Sequence, residues 1–172
     1  MIPGSQQGEY RVEPLATHHD RTSFSCGIPA LDNYLQRQAR QDLDRRLTSV
    51  SVLTPDSETI VGFYTLSSYA IPAADLPETL ARKLPRLEVP MTLLGRMGVS
   101  RSVQGQRLGK FLLMHALWRA WLGSQQIASW AVLVDAKIGA REFYLKYEFA
   151  PLPSQPDRLF LPMKAIEKLF AP

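Results

Sequence analysis

The sequence contains little of the chemistry that disulfides and metal sites need. Its only cysteine is Cys26, and its only histidines are His18, His19 and His115. One cysteine cannot form an internal disulfide, and the three histidines show no spacing typical of metal ligands. We therefore expect neither a disulfide nor a bound metal.

Long hydrophobic runs are also missing. No stretch approaches the ~18 apolar residues that span a bilayer, and residues 1–10 are polar, unlike a secretion signal. These absences predict a cytoplasmic protein without a membrane partner. The hydrophobic fraction of 45% and the length of 172 residues are typical of a folded chain, so we expect one domain over residues 1–172.

Acidic residues are absent from the middle of the chain. The formal net charge is +4 and the sequence pI is about 9.4. Between Glu88 and Asp135 no acidic residue occurs, whereas five basic residues do: Arg96, Arg101, Arg107, Lys110 and Arg119. Chance clustering on a solvated surface would give the same count, but the gap favours an anionic ligand for this part of the chain.

Hydrophobic periodicity and turn residues predict a mixed set of strands and helices. Predicted strands cover residues 10–15, 49–53, 60–70, 89–99, 130–134 and 159–163. Predicted helices cover residues 29–43, 108–122 and 136–147, with a final turn or short helix at 165–170. Strands first and alternating elements later indicate a mixed sheet covered by helices.

Residues 94–110 combine a strand, a glycine-containing loop and the start of an apolar helix. A phosphate group needs several backbone N–H donors in one concavity, and glycines together with a helix N-terminus supply them. Gly105 and Gly109 occupy those places, although such a pair also occurs in ordinary turns. A Walker loop is excluded because Phe111 follows Gly109-Lys110, and the glycine pattern of a dinucleotide fold is not met.

Residues 104–109 resemble the pyrophosphate-binding signature of the GNAT acetyltransferases, with Arg107 in place of its first glycine. Several further motifs are similar to one branch of that family, the GNAT toxins of bacterial toxin-antitoxin modules. They lie at residues 24–27, 31–35, 61–64, 94–99, 143–144 and 151–163. The resemblance therefore covers nearly the whole chain, and Glu148 departs from it where glycine is usual.

This resemblance implies an α+β GNAT fold, in which helices flank a central mixed, mostly antiparallel, twisted sheet with a splayed cofactor-binding cleft. It also implies an N-acetyltransferase that uses acetyl-CoA, with amides of β-strand residues on the pantetheine arm and the loop on the pyrophosphate. The cofactor-binding residues expected on this basis are Met97, Gly98, Val99, Arg101, Gln104, Gly105, Gln106, Arg107, Leu108, Gly109 and Lys110.

The resemblance places Tyr144 as the acid that protonates the departing CoA thiolate. From position alone, Tyr144 belongs to a helical stripe with Phe143 and Tyr147 and could serve only in packing. Cys26 has no nearby His or Asp to activate it, and His115 lies in an apolar helix. We therefore expect neither of these two residues to be catalytic.

The toxin branch acetylates the α-amino group of aminoacyl-tRNA, which blocks translation, and a cognate ribbon-helix-helix antitoxin neutralises it. The resemblance thus implies aminoacyl-tRNA and this antitoxin as partners, together with a homodimer. Basic residues expected to contact tRNA phosphates are Arg37, Arg40, Arg45, Arg46, Arg82, Lys83, Arg86, Arg96 and Lys146. Two alternatives stay open: acetylation of a small amine or protein N-terminus, and a non-catalytic domain that binds acyl-CoA or a partner.

Overall fold

The computed structural model describes residues 6–85, 87–136 and 140–172. Eight strands occur among them: β1 (Gln6–Gln7), β2 (Tyr10–Pro14), β3 (Ser49–Thr54), β4 (Gly62–Pro72), β5 (Glu88–Val99), β6 (Ala131–Asp135), β7 (Ala150–Leu152) and β8 (Gln155–Pro162). The α-helices are α1 (Pro29–Asn33), α2 (Ala39–Asp44), α3 (Glu78–Ala81), α4 (Leu108–Ser124), α5 (Arg141–Lys146) and α6 (Met163–Phe170).

The strands follow the order β1-β2-β3-β4-β5-β6-β8-β7 in the sheet. The registered pairs of β1 with β2, β2 with β3, β3 with β4, β6 with β8 and β7 with β8 are antiparallel. Only the β5–β6 register among them is parallel. The predicted mixed, mostly antiparallel sheet with flanking helices is therefore confirmed.

The chain divides into two compact units. The first unit contains the described residues up to Ser67 together with residues 95–118, and the second contains residues 68–94 and 119–172. Each unit has a hydrophobic cluster of its own. The single domain expected from the length stays a prediction.

In the first unit, β4 and α4 pack closely because Gly62 has no side chain. A Cβ atom built at Gly62 would lie 2.8 Å from Leu112 Cδ1 and 3.3 Å from the Gly98 carbonyl oxygen. Further along the same two elements, the buried hydroxyl of Tyr64 is hydrogen bonded to His115 Nδ1 at 2.7 Å. These contacts fix the helix that follows the glycine-containing loop against the strand beneath it.

β5 and β6 run side by side only over the part of β5 that belongs to the second unit. Their register begins at Met91↔Ala131 and ends at Leu94↔Val134, whereas β5 continues to Val99. The hydrophobic residues of β6 are fully buried, as expected for a strand with neighbours on both sides. The last residues of β5 thus extend beyond the paired stretch.

Two predicted helices differ from the observed ones. The predicted helix at 29–43 contains a π-helical turn at Tyr34–Gln38 between α1 and α2, a local widening that sequence periodicity does not reveal. The predicted helix at 136–147 is observed only as α5, and residues 137–139 lie outside the described part. Three short elements, β1, α3 and β7, had no prediction because two to four residues carry too little periodicity.

Among the described residues, no helix combines the length and the apolar character that crossing a membrane requires.

Candidate active site

The end of β5, residues 95–99, directs its backbone amides alternately to the two edges of the strand. The Arg96 amide donates to Thr65 Oγ1 at 3.0 Å, and the Ser100 amide donates to the Val61 carbonyl at 2.8 Å. Both bonds are made on the β4 side. Because amides of successive strand residues point to opposite edges, the amides of Met97 and Val99 face the other edge of β5.

Gly98, the residue between these two amides, is buried beside Cys26 and Phe63. A Cβ atom there would lie 3.4 Å from Cys26 Sγ and 3.5 Å from Phe63, which is ordinary van der Waals contact. Its φ angle is not in the left-handed region. The structure therefore shows no steric requirement for glycine at this position.

The loop after β5 is held by the carbonyl groups of residues 24–27. The Arg101 amide donates to the Ser25 carbonyl at 2.9 Å. The Gln104 side chain donates its amide to the carbonyls of Cys26 and Val99, at 3.3 and 3.1 Å. Sequence reasoning identified residues 24–27 as a family motif without a role, and the structure shows that this motif supports the loop.

The turn into α4 uses two left-handed residues. Gly105 has φ +89° and Arg107 has φ +60°, a conformation that costs a residue with a side chain about 1–2 kcal/mol. Arg107 therefore preserves the backbone shape that the family's usual glycine would adopt freely. The left-handed turn explains how the loop tolerates this departure from the family pattern.

The turn delivers the chain to the start of α4. The first hydrogen bond of the helix runs from the Phe111 amide to the Arg107 carbonyl at 3.2 Å, so Leu108, Gly109 and Lys110 form the first turn. Amides of a first turn have no acceptor within the helix and point towards the positive end of its dipole. Arg101, Arg107 and Lys110, which belong to the same loop and helix start, are exposed. This arrangement fits a pyrophosphate group.

Tyr144 lies in α5, which belongs to the second unit. Only 7% of the residue is exposed, and its ring makes edge contacts with Phe143 at 5.3 Å and Phe149 at 5.4 Å between centroids. Burial raises the pKa of Tyr144 above its ordinary value. The phenol therefore keeps its proton at physiological pH, as a proton donor must.

The turn after α5 retains the shape of a glycine turn without a glycine. Glu148 has φ +70°, its amide donates to the Leu145 carbonyl, and the Phe149 amide donates to the Tyr144 carbonyl. These are the two bonds of a Schellman motif, in which glycine is usual at the position of Glu148. The motif holds Phe149 against the Tyr144 ring, so the departure at Glu148 leaves this support intact.

We expect Glu148→Gly to raise the free energy of unfolding by about 1 kcal/mol, because it removes the left-handed strain. Chemical denaturation measures this change. Glu148→Gln is the matched control, since it removes the charge but keeps a side chain at positive φ, and should recover less than half of the gain. Equal stabilisation by both variants would contradict the backbone explanation.

Two further side chains considered from the sequence have structural surroundings. Burial raises the pKa of the Cys26 thiol to about 11, so little thiolate is available as a nucleophile. His115 is buried and bonded to Tyr64, as expected for a core histidine. Neither residue acquires a catalytic arrangement.

Glu13, His18 and His19 form the one cluster of potential metal ligands within the described ranges. The Ala16 amide donates to Nδ1 of His19 at 3.0 Å, so the ring proton lies on Nε2 and is donated to Glu13 Oε1 at 2.9 Å. A histidine that binds a metal donates its second ring nitrogen to an acceptor. Here that nitrogen faces a donor, so the chemistry of the cluster opposes a metal.

The basic residues predicted for tRNA are distributed over both units. Those in the first unit are Arg37, Arg40, Arg45, Arg46 and Arg96; those in the second are Arg82, Lys83 and Lys146; and Arg86 lies outside the described residues. Arg40 pairs with Asp44 at 3.2 Å and Arg82 with Glu78 at 3.9 Å, four residues away in each case. These two are surface ion pairs, which leaves the other cations as stronger candidates.

Comparison with known proteins gives one consistent set of matches. The model of the acetyltransferase (GNAT) family matches residues 15–149. A "probable toxin TacT" of Sinorhizobium fredii is 34% identical and aligns over 92% of this chain and 93% of its own length. A "tRNA-acetylating toxin" of Mycobacterium tuberculosis is 38% identical over 84% of this chain and 87% of its own length.

Solved structures agree with these sequence matches. AtaT complexed with acetyl-methionyl-tRNAfMet has a TM-score of 0.88 and 29% identity, covering 94% of this chain and 99% of that chain. A tyrosine-to-phenylalanine variant of AtaT, bound to the C-terminus of the antitoxin AtaR and acetyl-CoA, has a TM-score of 0.82 and 27% identity. It covers 96% of this chain and 100% of that chain.

Proposed function

We propose that this chain, which belongs to the acetyltransferase (GNAT) family, is a toxin that transfers an acetyl group from acetyl-CoA to the α-amino group of aminoacyl-tRNA. The observation that carries the proposal is the 38% identity to a tRNA-acetylating toxin over most of both chains. The similarity to AtaT in its complex with acetyl-methionyl-tRNAfMet supports the same acceptor.

For the cofactor, we propose that the pyrophosphate binds the turn at 104–107 and the first turn of α4. The left-handed turn, the helix start and the exposed cations Arg101, Arg107 and Lys110 support this assignment. We assign the pantetheine arm to the amides of Met97 and Val99, on the basis of their edge of β5. Bound acetyl-CoA supplies the activated acyl group.

For catalysis, we propose that Tyr144 protonates the thiolate. When the amine nitrogen bonds to the thioester carbon, the C–S bond breaks and its electron pair stays on sulfur, which then takes the phenolic proton. The acylated nitrogen releases its extra proton to solvent, and the phenolate of Tyr144 regains a proton from solvent. The α-amine of an esterified amino acid is less basic than a lysine amine. A useful fraction is therefore neutral at cytoplasmic pH, and no strong general base is required.

For partners and location, we propose a cytoplasmic protein neutralised by a ribbon-helix-helix antitoxin and assembled as a homodimer. AtaT in complex with the C-terminus of its antitoxin AtaR supports an antitoxin partner. Translation substrates are cytoplasmic, which supports that location. Light scattering of the purified protein, with and without the product of an adjacent antitoxin gene, tests both assemblies.

We expect binding of charged tRNA to weaken steeply with salt, because each phosphate contact releases counterions. About four contacts would lower the affinity on the order of 50-fold between 50 and 200 mM salt. Fluorescence anisotropy with labelled aminoacyl-tRNA measures this dependence. Affinity that ignores salt over this range would contradict tRNA as the acceptor and favour a small amine or a protein N-terminus.

A further inference from the structure

The guanidinium of Arg96 lies over an aromatic ring in the first unit. Its Cζ atom is 3.6 Å from the ring centroid of Tyr34. Arg96 is exposed, whereas only 6% of Tyr34 is exposed. The buried ring therefore packs against the guanidinium, while the arginine stays accessible to solvent.

The support under Arg96 is rigid. Tyr34 begins the π-helical turn Tyr34–Gln38, and its hydroxyl donates to Asp42 Oδ2 at 2.9 Å. On the inner side its ring stacks on Phe63, with centroids 6.4 Å apart and planes 18° apart. The backbone amide of Arg96 donates a hydrogen bond to the Thr65 hydroxyl at 3.0 Å. Phe63, Tyr34 and Arg96 thus form one stacked column that ends in a charged group.

Within the described residues, the guanidinium at the end of this column has no ion-pair partner. Asp42 accepts from Tyr34 with one oxygen and from Gln38 Nε2 with the other, at 2.9 Å each. Among residues 6–85, 87–136 and 140–172, no carboxylate lies within 4.0 Å of the Arg96 guanidinium. An exposed guanidinium that packs on an aromatic ring is well suited to two parallel hydrogen bonds to a phosphate.

The position of Arg96 in the chain indicates which phosphate it meets. Arg96 directly precedes Met97, whose amide we assign to the pantetheine arm of acetyl-CoA. The Cα atoms of these two residues are about 3.8 Å apart, as in any trans peptide. An amino acid esterified to tRNA has no free carboxylate. The anion closest to the reacting amine is therefore a phosphate of the terminal nucleotides.

We propose that Arg96 binds a backbone phosphate at the acceptor end of aminoacyl-tRNA. Tyr34 is the positioning residue, because its ring holds the guanidinium of Arg96 in place. This inference rests on the proposed function. It distinguishes Arg96 from the scattered surface cations, because Arg96 recognises the esterified acceptor end itself. The enzyme thereby prefers an amino acid attached to tRNA over the same amino acid as a simple ester.

The test compares two acceptors with the full-length protein: total charged tRNA and the methyl esters of the same amino acids. We expect Arg96→Gln to lower the preference for tRNA, expressed as the ratio of kcat/KM values, by about 10- to 100-fold. Arg96→Lys keeps the charge but not the planar guanidinium, and should recover only a small part of the preference that Arg96→Gln loses. The slope of log affinity against log salt should become shallower by about 0.7, as for one single-strand phosphate.

Variants of Tyr34 and a charge control separate positioning from general effects. Tyr34→Phe keeps the ring and should retain the preference, whereas Tyr34→Leu should lose most of it while thermal melting reports on folding. Lys164→Gln, which removes one exposed positive charge from α6, should leave the ratio unchanged.

Each outcome decides between clear alternatives. If wild-type protein acetylates aminoacyl-tRNA and Arg96→Gln keeps the parental preference, Arg96 does not read the acceptor phosphate and this inference is overturned. An equal loss on both acceptors would overturn it as well, since Arg96 would then serve the cofactor or the fold. If wild-type protein acetylates the esters but no charged tRNA, the proposed function fails, and this inference fails with it.

Discussion

Tyr144→Phe should slow acetyl transfer by about 10²–10⁴-fold, the usual contribution of general acid catalysis. The substitution removes only the hydroxyl, and the ring contacts with Phe143 and Phe149 are retained. Stability and acetyl-CoA affinity should therefore hold. Single-turnover kinetics on charged tRNA, together with thermal melting and calorimetry, measures the three quantities. CoA thiolate is a fair leaving group, so we expect the lower part of the range.

The pH dependence of the same step follows from the raised pKa of the phenol. Because burial moves the pKa of Tyr144 upwards from about 10, the acid form persists across the neutral range. The rate should rise only as the acceptor amine loses its proton, without a fall from loss of the phenolic proton below about pH 10.

A Tyr144→Phe enzyme that melts like the parent and turns over at the parental rate would show that Tyr144 serves only in packing.

Gly109→Val should weaken acetyl-CoA binding at least about tenfold, a change of about 1.4 kcal/mol or more. Gly109 is half-buried in the first turn of α4, and we expect a branched side chain there to obstruct the approach of the pyrophosphate to the amides. Isothermal titration calorimetry with CoA measures the change. Activity on aminoacyl-tRNA should fall through KM for acetyl-CoA.

Gly123→Val is the matched control for this variant. Gly123 lies near the end of the same helix, and a Cβ atom there would have no heavy atom within 4 Å. It should keep the parental CoA affinity. If Gly109→Val binds CoA as tightly as Gly123→Val does, the pyrophosphate lies elsewhere.

Most of the regular structure was predictable because it follows from hydrophobic periodicity. The hairpin of β3 and β4, the long strand β5 and the apolar helix α4 are all confirmed within a few residues. The π-helical turn at Tyr34–Gln38 was not predictable, since the apolar residues around it also fit the spacing of an uninterrupted α-helix. That turn carries the ring on which Arg96 lies.

At the candidate site, the sequence predicted a set of residues but not the backbone geometry that positions them. Arg107 and Glu148 departed from the family's glycines, and only backbone angles could show that both keep the left-handed conformation. The support of the loop by the Ser25 and Cys26 carbonyls was also hidden, because backbone acceptors carry no residue signature. The roles assigned to Tyr144 and to the loop stay predictions that depend on the experiments above.

The most direct measurement is the acetylation of charged tRNA by the purified protein. Total aminoacyl-tRNA is incubated with acetyl-CoA, the ester bond is then hydrolysed, and mass spectrometry identifies the released amino acids. Our account predicts one or a few Nα-acetylated amino acids, formed only with acetyl-CoA and largely lost with Tyr144→Phe. Amino acids released without any acetyl group, from protein that binds acetyl-CoA, would contradict it.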